Sequence, residues 1–125
     1  MSKIDDAKKL LESLNDRVAD FTNLAIARTN GLIIASLNKT LGGDKTLERL
    51  LGAMGSALFS IAKRAATKLM DGKFQSLNIE IDTGNIFLIF TGKVILIALT
   101  KEEPNLGLIS LEIEDAAEDL NKIFG

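Results

Sequence analysis

The longest helical pattern in the chain covers residues 44–70. Large apolar residues recur there at the i, i+3, i+4 spacing of an amphipathic helix. We expect this stripe to face the core, and its members are Leu47, Leu50, Leu51, Met54, Leu58, Ile61, Ala65 and Leu69. Asp44 stands at the N-cap position, and Gly72 stands at the position of a left-handed C-terminal cap. The pattern therefore predicts one long helix between these two residues.

A second row of mostly small residues runs beside this stripe and consists of Gly52, Gly55, Phe59, Ala62 and Ala66. A glycine inside a helix costs about 0.5–1 kcal/mol relative to alanine. Two glycines within one turn therefore indicate that something packs closely against them. The row fits packing against a second copy of the same helix, and it also fits close packing on the chain's own sheet.

The preceding residues predict a first helix followed by a hairpin. Ser2 can cap the helix with Asp5 three positions on, and the buried stripe would be Ile4, Ala7, Leu11 and Leu14. Two short strands should follow, over residues 22–28 and 32–37. Asn30-Gly31 lies between these apolar runs, and this dipeptide is typical of a tight hairpin turn.

Three more strands are predicted after the long helix, over residues 73–81, 86–91 and 94–100. The turns between them are too short for helical crossovers, so the strands must be antiparallel. Every residue from 94 to 99 is apolar, which is typical of a central strand covered on both faces. Residues 76–81 alternate between polar and apolar positions, as a half-covered strand near an edge does.

A last helix should begin after Asn105, with a buried stripe of Leu106, Ile109, Ile113, Ala116, Ala117, Leu120 and Phe124. The order of elements is then helix, two strands, helix, three strands, helix. We expect an α+β fold in which one five-stranded antiparallel sheet carries helices on both faces, because that arrangement buries every stripe.

Composition excludes several kinds of partner. The chain has 125 residues, of which 46% are hydrophobic, and its net charge of -2 argues against nucleic acid or an anionic membrane as partners. The most apolar region, residues 86–99, is interrupted by Gly92 and Lys93 and is too short to span a membrane. Cysteine is absent and the first residues do not resemble a signal peptide, so we expect a cytoplasmic protein.

The residues needed for most catalysis are also missing. Without histidine or cysteine the chain has no imidazole base, thiol nucleophile or ordinary zinc site, and we expect neither an enzyme nor a cofactor. The carboxylate pairs Asp5-Asp6 and Glu102-Glu103 lack calcium-loop spacing and are typical of solvated positions. Residues 41–46 resemble a phosphate loop, but Asp44 precedes Lys45 and would repel phosphate, so helix entry is the better interpretation.

The order of elements and three segments resemble the Roadblock/dynein light-chain family. The segments are the hairpin over residues 28–36, the long helix with its small residues, and Pro104-Asn105-Leu106-Gly107-Leu108-Ile109 at the start of the last helix. The resemblance covers nearly the whole chain and implies a single Roadblock-type domain over residues 1–125 with a profilin/roadblock-like fold. One departure is Asn30-Gly31, where the family often has Asp-Gly, although both dipeptides suit the same turn.

The resemblance implies the sheet order 2-1-5-4-3, in agreement with the central and edge strands deduced from the pattern. It also implies homodimers, or heterodimers with a paralogous member, in which the edge strand pairs with its copy and the long helix packs against its copy. Carried over by position, the interface would comprise Gly52, Gly55, Phe59, Ala62, Ala66, Phe74, Gln75, Ser76, Leu77 and Asn78.

Members of the family are similar in acting as dimeric platforms for small Ras-like GTPases. MglB-like members stimulate hydrolysis, and others scaffold regulatory complexes. The resemblance thus implies a non-enzymatic regulator or scaffold that binds such a GTPase and modulates its nucleotide cycle. The exposed positions of the long helix are mostly basic, and the possible GTPase contacts are Lys45, Arg49, Lys63 and Arg64. These charges also fit an ordinary solvated helix face.

Two other functions are compatible with the same residues. One is a structural adaptor of the dynein light-chain type, which would hold a peptide or a motor subunit whatever nucleotide is present. The other is a small-ligand sensor, since helices and strands in this order also occur in sensor domains. A sensor needs a pocket between sheet and helices, and the apolar stripes should fill that space.

Overall fold

A computed structural model describes residues 2–38 and 45–125. Its elements in chain order are α1 (Lys3–Arg17), β1 (Phe21–Arg28), β2 (Ile33–Asn38), α2 (Lys45–Met70), β3 (Ser76–Ile81), β4 (Gly84–Phe90), β5 (Val94–Thr100) and α3 (Leu106–Phe124). The five strands form one sheet in the order β2-β1-β5-β4-β3, and every neighbouring pair is antiparallel. The α+β fold and the sheet order predicted from the sequence are confirmed.

Helices cover the two faces of the sheet unequally. α1 and α3 lie together on one face, and α2 lies alone on the other. The larger core cluster is on the α1/α3 face, where buried residues recur at helical spacing along α3: Ile109, Ile113, Ala116 and Leu120. Ala7, Leu11 and Leu14 of α1 are fully buried, whereas Ile4 is 51% exposed. Most of the apolar core therefore belongs to the face with two helices.

Capping residues fix the ends of the helices. The Ser2 hydroxyl accepts a hydrogen bond from the Asp5 N–H at 3.1 Å. The Asn105 side chain accepts one from the Leu108 N–H, also at 3.1 Å. At the end of α2 the left-handed residue is Asp71, with φ 51°, and not Gly72 as predicted. The Gly72 N–H still donates to the Ala66 carbonyl at 2.9 Å, as in a helix end capped by a left-handed residue. Here the left-handed residue is an aspartate, for which this conformation is less favourable than for glycine. The predicted N-cap Asp44 and the loop over residues 39–43 lie outside the described residues.

The central and edge strands have the surroundings that the pattern predicted. β5 lies between β1 and β4, and five of its first six residues are at least nine-tenths buried. β3 is at an edge and alternates between exposed and half-buried positions. It begins at Ser76 and not at residue 73, although the Gln75 carbonyl already accepts the Phe90 N–H at 2.9 Å.

The predicted orientation of the long helix is wrong. Five apolar residues of α2, of which four were expected in the core stripe, are more than half exposed: Leu50, Met54, Ile61, Leu69 and Met70. The buried residues of α2 are Gly52, Gly55 and Phe59, which belong to the small-residue row. Close approach to the sheet selects residues with little side chain, so the glycines of the small row face inward. Leu51 and Leu58 of the predicted stripe still pack at the margin of the α2-side core, whereas the five residues above face outward.

Candidate interaction surface

The first half of α2 packs closely on the sheet through its glycines. A Cβ at Gly52 would overlap the carbonyl oxygen of Gly31 in the β1–β2 turn, and one at Gly55 would lie 2.5 Å from Cδ1 of Ile97. Phe59 follows one turn later, with its ring centroid 4.8 Å from that of Phe90. These successive contacts cross the sheet from the β1–β2 side through β5 to β4.

The second half of α2 leaves the sheet. Phe59 also contacts Phe74, which precedes β3, with ring centroids 6.0 Å apart in an edge-to-face arrangement. Beyond it, Ala62 and Ala66 are half-buried, and the other residues between 60 and 70 are exposed. The helix therefore continues beyond the part of the sheet that it covers, and we call residues 60–70 the overhang.

The overhang continues an exposed apolar stripe along α2. Leu50 and Met54 are each 54% exposed, Ile61 is 59% exposed and Leu69 is 81% exposed. Single exposed apolar residues are common on protein surfaces, but a continuous stripe on one helix marks a contact surface. We call these four residues, with Ala65 between the last two, the apolar stripe.

The predicted interface row divides between the inside and the surface of the chain. Gly52, Gly55 and Phe59 lie against the chain's own sheet, which was the other explanation of the row, and their buried sides are closed to a partner. Ala62 and Ala66 lie in the overhang and remain accessible. Whether a second copy contacts this helix stays a prediction, and the surface that α2 offers is the apolar stripe.

The predicted strand segment of the interface lies along the free edge of the sheet. β3 pairs with β4 on one side only, so its other backbone edge is open. Gln75, Ser76 and Asn78 are exposed, and Leu77 and Phe74 are half-buried against the α2-side cluster. Nearby, on the part of the same sheet face that α2 leaves uncovered, Ile81 is 46% exposed.

The basic residues predicted to contact a GTPase lie along α2 in two groups. Lys45 and Arg49 are exposed in the first turns, where Lys45 Nζ lies 3.6 Å from Glu48 Oε2. Glu48 also accepts a hydrogen bond from the Ser36 hydroxyl at 2.5 Å. Lys63 and Arg64 lie in the overhang, so the helix does not bring the two groups together.

A groove separates the overhang from the β1–β2 turn. The Ser56 hydroxyl donates to the Thr29 carbonyl at 2.7 Å and ties the turn to the helix. Beyond this bond the groove opens to a volume of about 690 Å³ and is lined largely by polar side chains. Lys63 lies over its floor, with Nζ 5.8 Å from the centroid of the Phe59 ring.

The described residues offer few sites of other kinds. They contain no group of three or more acidic side chains placed to hold a metal ion. None of their helices is long and apolar enough to cross a membrane. Besides the apolar stripe, the β3 edge and the groove, the described residues form open clefts between β2 and α2, of about 430 Å³, and between the β3–β4 strands and α3, of about 580 Å³.

Sequence reasoning missed the overhang, although element lengths carried a signal for it. The 26 residues of α2 extend about 39 Å at the usual helical rise. Five strands spaced about 4.8 Å apart measure only about 19 Å between the outer two. A helix that crosses such a sheet must extend beyond it, so apolar residues near its end cannot all pack inside one chain.

Comparison with known proteins identifies relatives along most of the chain. The Roadblock/LC7 domain family model matches residues 7–101. The uncharacterized protein MJ1340 of Methanocaldococcus jannaschii is 38% identical over 95 residues, which cover 76% of this chain and 80% of that protein. Myxococcus xanthus MglB has a similar structure, with a TM-score of 0.87, 18% identity and coverage of 98% of this chain and 90% of that chain. A structure described as MglB with tetrameric arrangement matches with a TM-score of 0.86, 17% identity and coverage of 99% and 91%.

Proposed function

The chain belongs to the Roadblock/LC7 domain family, a family of small regulatory and scaffold domains, and from this we propose that it acts as a homodimer that binds a small Ras-like GTPase. In this proposal the dimer modulates the nucleotide cycle of the GTPase and carries out no catalysis of its own. The observation that carries the dimer is the exposed apolar stripe on α2, in a chain whose edge strand β3 also has one unpaired side.

A second copy would satisfy both features at once. In the proposed dimer, β3 pairs with β3 of the second copy and each apolar stripe packs against the partner, near the sheet face that α2 leaves partly open. That face presents Ile79 and Ile86, which are half-buried, and Ile81, which is 46% exposed. Strand pairing and helix packing together should bury a total surface area of at least about 1,200–2,000 Å², the range of a stable interface.

The charges around β3 favour antiparallel pairing between the copies. Lys73 precedes the strand, and Glu80 and Asp82 lie near its other end. Antiparallel pairing brings the basic end of one strand near the acidic end of its copy. Parallel pairing would place like charges side by side, which is unfavourable across neighbouring strands.

The dimer is tested by its mass in solution. We expect light scattering to give twice the chain mass of 13.5 kDa, and Ile61→Glu to shift the protein to the monomer because it places a charge in the apolar stripe. Ile4→Glu is the matched control, since Ile4 is a similarly exposed helical isoleucine far from the stripe. A dimer that survives Ile61→Glu would contradict the proposed interface.

GTPase binding is the second part of the proposal. The contacts proposed for the GTPase are Lys45, Arg49, Lys63 and Arg64, which lie exposed on the helix. No arginine is identified as a finger, so any effect on hydrolysis would come from ordering the switch loops of the GTPase itself. One structural neighbour is MglB in a tetrameric arrangement, which supports self-association as a mode of action for this fold.

The nucleotide cycle is tested by mixing the protein with small GTPases from the same genome. We expect a complex with the GTP-loaded form and a changed rate of hydrolysis or exchange. Equal binding to the GTP-loaded and GDP-loaded forms would favour the alternative function, an adaptor of the dynein light-chain type. No binding to either form, by a protein that is dimeric, would contradict the GTPase part and leave the dimer standing.

A further inference from the structure

The groove between the overhang and the β1–β2 turn has the composition of a binding site for an anion. Ser56, Ser60, Lys63 and Thr67 recur at spacings of four, three and four residues and form the flank of α2 that faces the groove. Arg64 and Lys68, four residues apart, form its outer rim. Thr29 and Asn30 close the other side.

The positive charge of the groove is not neutralised within the described part of the chain. Ion pairs there join Arg17 to Glu112, Lys45 to Glu48 and Lys101 to Asp20. Lys63, Arg64 and Lys68 contact none of the described carboxylates, and all three are exposed. The groove lining contains no acidic residue. A cluster of cations without counter-charges attracts an anionic ligand, and more strongly at low ionic strength.

Hydrogen-bonding groups accompany these charges. The side-chain Oδ1 of Asn30 accepts a hydrogen bond from the Leu32 N–H at 3.1 Å, which leaves the side-chain NH₂ of Asn30 free to donate. The Ser60 and Thr67 hydroxyls bond to no described residue. Amide and hydroxyl groups of this kind can donate to and accept from a peptide backbone. The groove therefore offers hydrogen bonds beside a row of charges.

We propose that this groove binds an extended acidic peptide segment of a partner protein, with aspartate or glutamate at alternate positions. From Ser56 to Lys68 the helix rises about 18 Å, which matches five or six extended residues and far exceeds a single phosphate group. The rim residues Arg64 and Lys68 are about 6 Å apart along the helix. Side chains on one side of an extended peptide recur at about 6.6 Å, so alternate carboxylates match this spacing.

Nucleic acid fits the same charges less well. Single strands bind by stacking bases on aromatic side chains. The groove contains one aromatic residue, Phe59, which is 6% exposed and already covered by Lys63. An acidic peptide needs no stacking surface.

The groove-facing flank of the site is separate from the proposed dimer contact, whereas Arg64 and Lys68 on its rim lie three and seven residues after Ile61 and border the apolar stripe. Ser60, Lys63 and Thr67 lie on the flank of α2 toward the β1–β2 turn, whereas the apolar stripe is centred on Ile61. Lys63 and Arg64 are also among the contacts proposed for the GTPase, but the peptide can belong to another partner, so peptide binding is tested without any GTPase. The mass of the same variants in solution shows whether they still form dimers. A variant that keeps the dimer mass but binds the peptide weakly has lost the groove interaction alone.

The test uses the full chain and a fluorescein-labelled peptide of sequence Ser-Asp-Ser-Asp-Ser-Asp in an anisotropy titration at 50 mM salt. We expect saturable binding that weakens at least tenfold with Arg64→Glu plus Lys68→Glu. The matched control is Lys93→Glu plus Lys122→Glu, which changes the net charge equally but lies outside the groove, and we expect less than a threefold effect. Both variants change exposed residues, so circular dichroism should show unchanged folding.

Three outcomes would overturn the proposal. Equal weakening by the two variants would show that the peptide senses net charge and not the groove. Equal affinity for a peptide with its three aspartates adjacent would contradict the alternate spacing. Tighter binding of single-stranded DNA than of the peptide, lost with the same groove variant, would assign the site to nucleic acid.

Discussion

α3 and α2 are both amphipathic helices, but they use their apolar residues differently. The stripe predicted for α3 contains its four buried residues, which face α1 and the sheet. The stripe predicted for α2 is largely exposed, and only Gly52, Gly55 and Phe59 are buried along 26 residues. One helix thus completes a core, whereas the other presents most of its large apolar side chains to the outside.

The difference shows what a hydrophobic stripe does and does not indicate. Periodicity locates the apolar side of a helix, but it does not say which surface covers that side. Where a helix carries both a glycine row and a stripe of large residues, the closer contact takes the glycines. In α2 the large residues opposite the glycines then lie at the surface of the single chain.

The largest expected effect compares two isoleucines on these helices. Ile113→Ala should lower the free energy of unfolding by about 2–5 kcal/mol, because Ile113 is 4% exposed and its removal leaves a cavity in the core. Ile61→Ala should change it by no more than about 0.5 kcal/mol in the monomer, since Ile61 is 59% exposed. Urea unfolding of the two variants, at protein concentrations too low for dimers to form, measures both changes in the free energy of unfolding.

The same two variants also distinguish a residue in the core of one chain from a residue in an interface between two copies. If the apolar stripe is covered by a second copy, the cost of Ile61→Ala should grow with protein concentration, while the cost of Ile113→Ala should not. A large cost for Ile61→Ala that is independent of concentration would mean that Ile61 belongs to the core of one chain.

A glycine pair sharpens the comparison with a smaller effect. Gly52→Ala should destabilise the fold by about 1–3 kcal/mol, because its Cβ would overlap the Gly31 carbonyl and the helix would have to move. Gly107→Ala in the first turn of α3 should stabilise by about 0.4–1 kcal/mol, since the nearest atom to its Cβ would be 3.7 Å away. Thermal unfolding shows whether each variant is more or less stable than the original chain. Stabilisation by Gly52→Ala would contradict the close approach of α2 to the turn.

The smallest expected effect concerns the ion pair between α1 and α3. Arg17 Nε lies 2.6 Å from Glu112 Oε2, but Arg17 is 43% exposed and the pair is accessible to water. Arg17→Gln should therefore cost no more than about 1 kcal/mol, and less at high salt. Unfolding at 0.05 M and 1 M sodium chloride measures both values, and a larger cost at high salt would show that packing of the arginine stem matters more than its charge.

The fold was predictable because its signals are local. The Asn30-Gly31 turn, the caps at Ser2 and Asn105 and the all-apolar β5 each locate an element within a few residues. The candidate surface was less predictable, because it depends on which side of α2 faces the sheet. That choice is made by contacts between residues far apart in the chain, such as Gly52 with Gly31 and Gly55 with Ile97, and helical periodicity does not contain them.

The exposed end of α2 should also make a single copy of the chain sensitive to proteolysis. Most of a helix's stability comes from the surfaces it packs against, and residues beyond Phe59 have few such contacts. In a lone copy these last turns should unravel often, and they contain Lys63, Arg64 and Lys68, after which trypsin cleaves. If the proposed dimer forms, its partner would cover these bonds, and cleavage within the overhang would then measure the fraction of single chains.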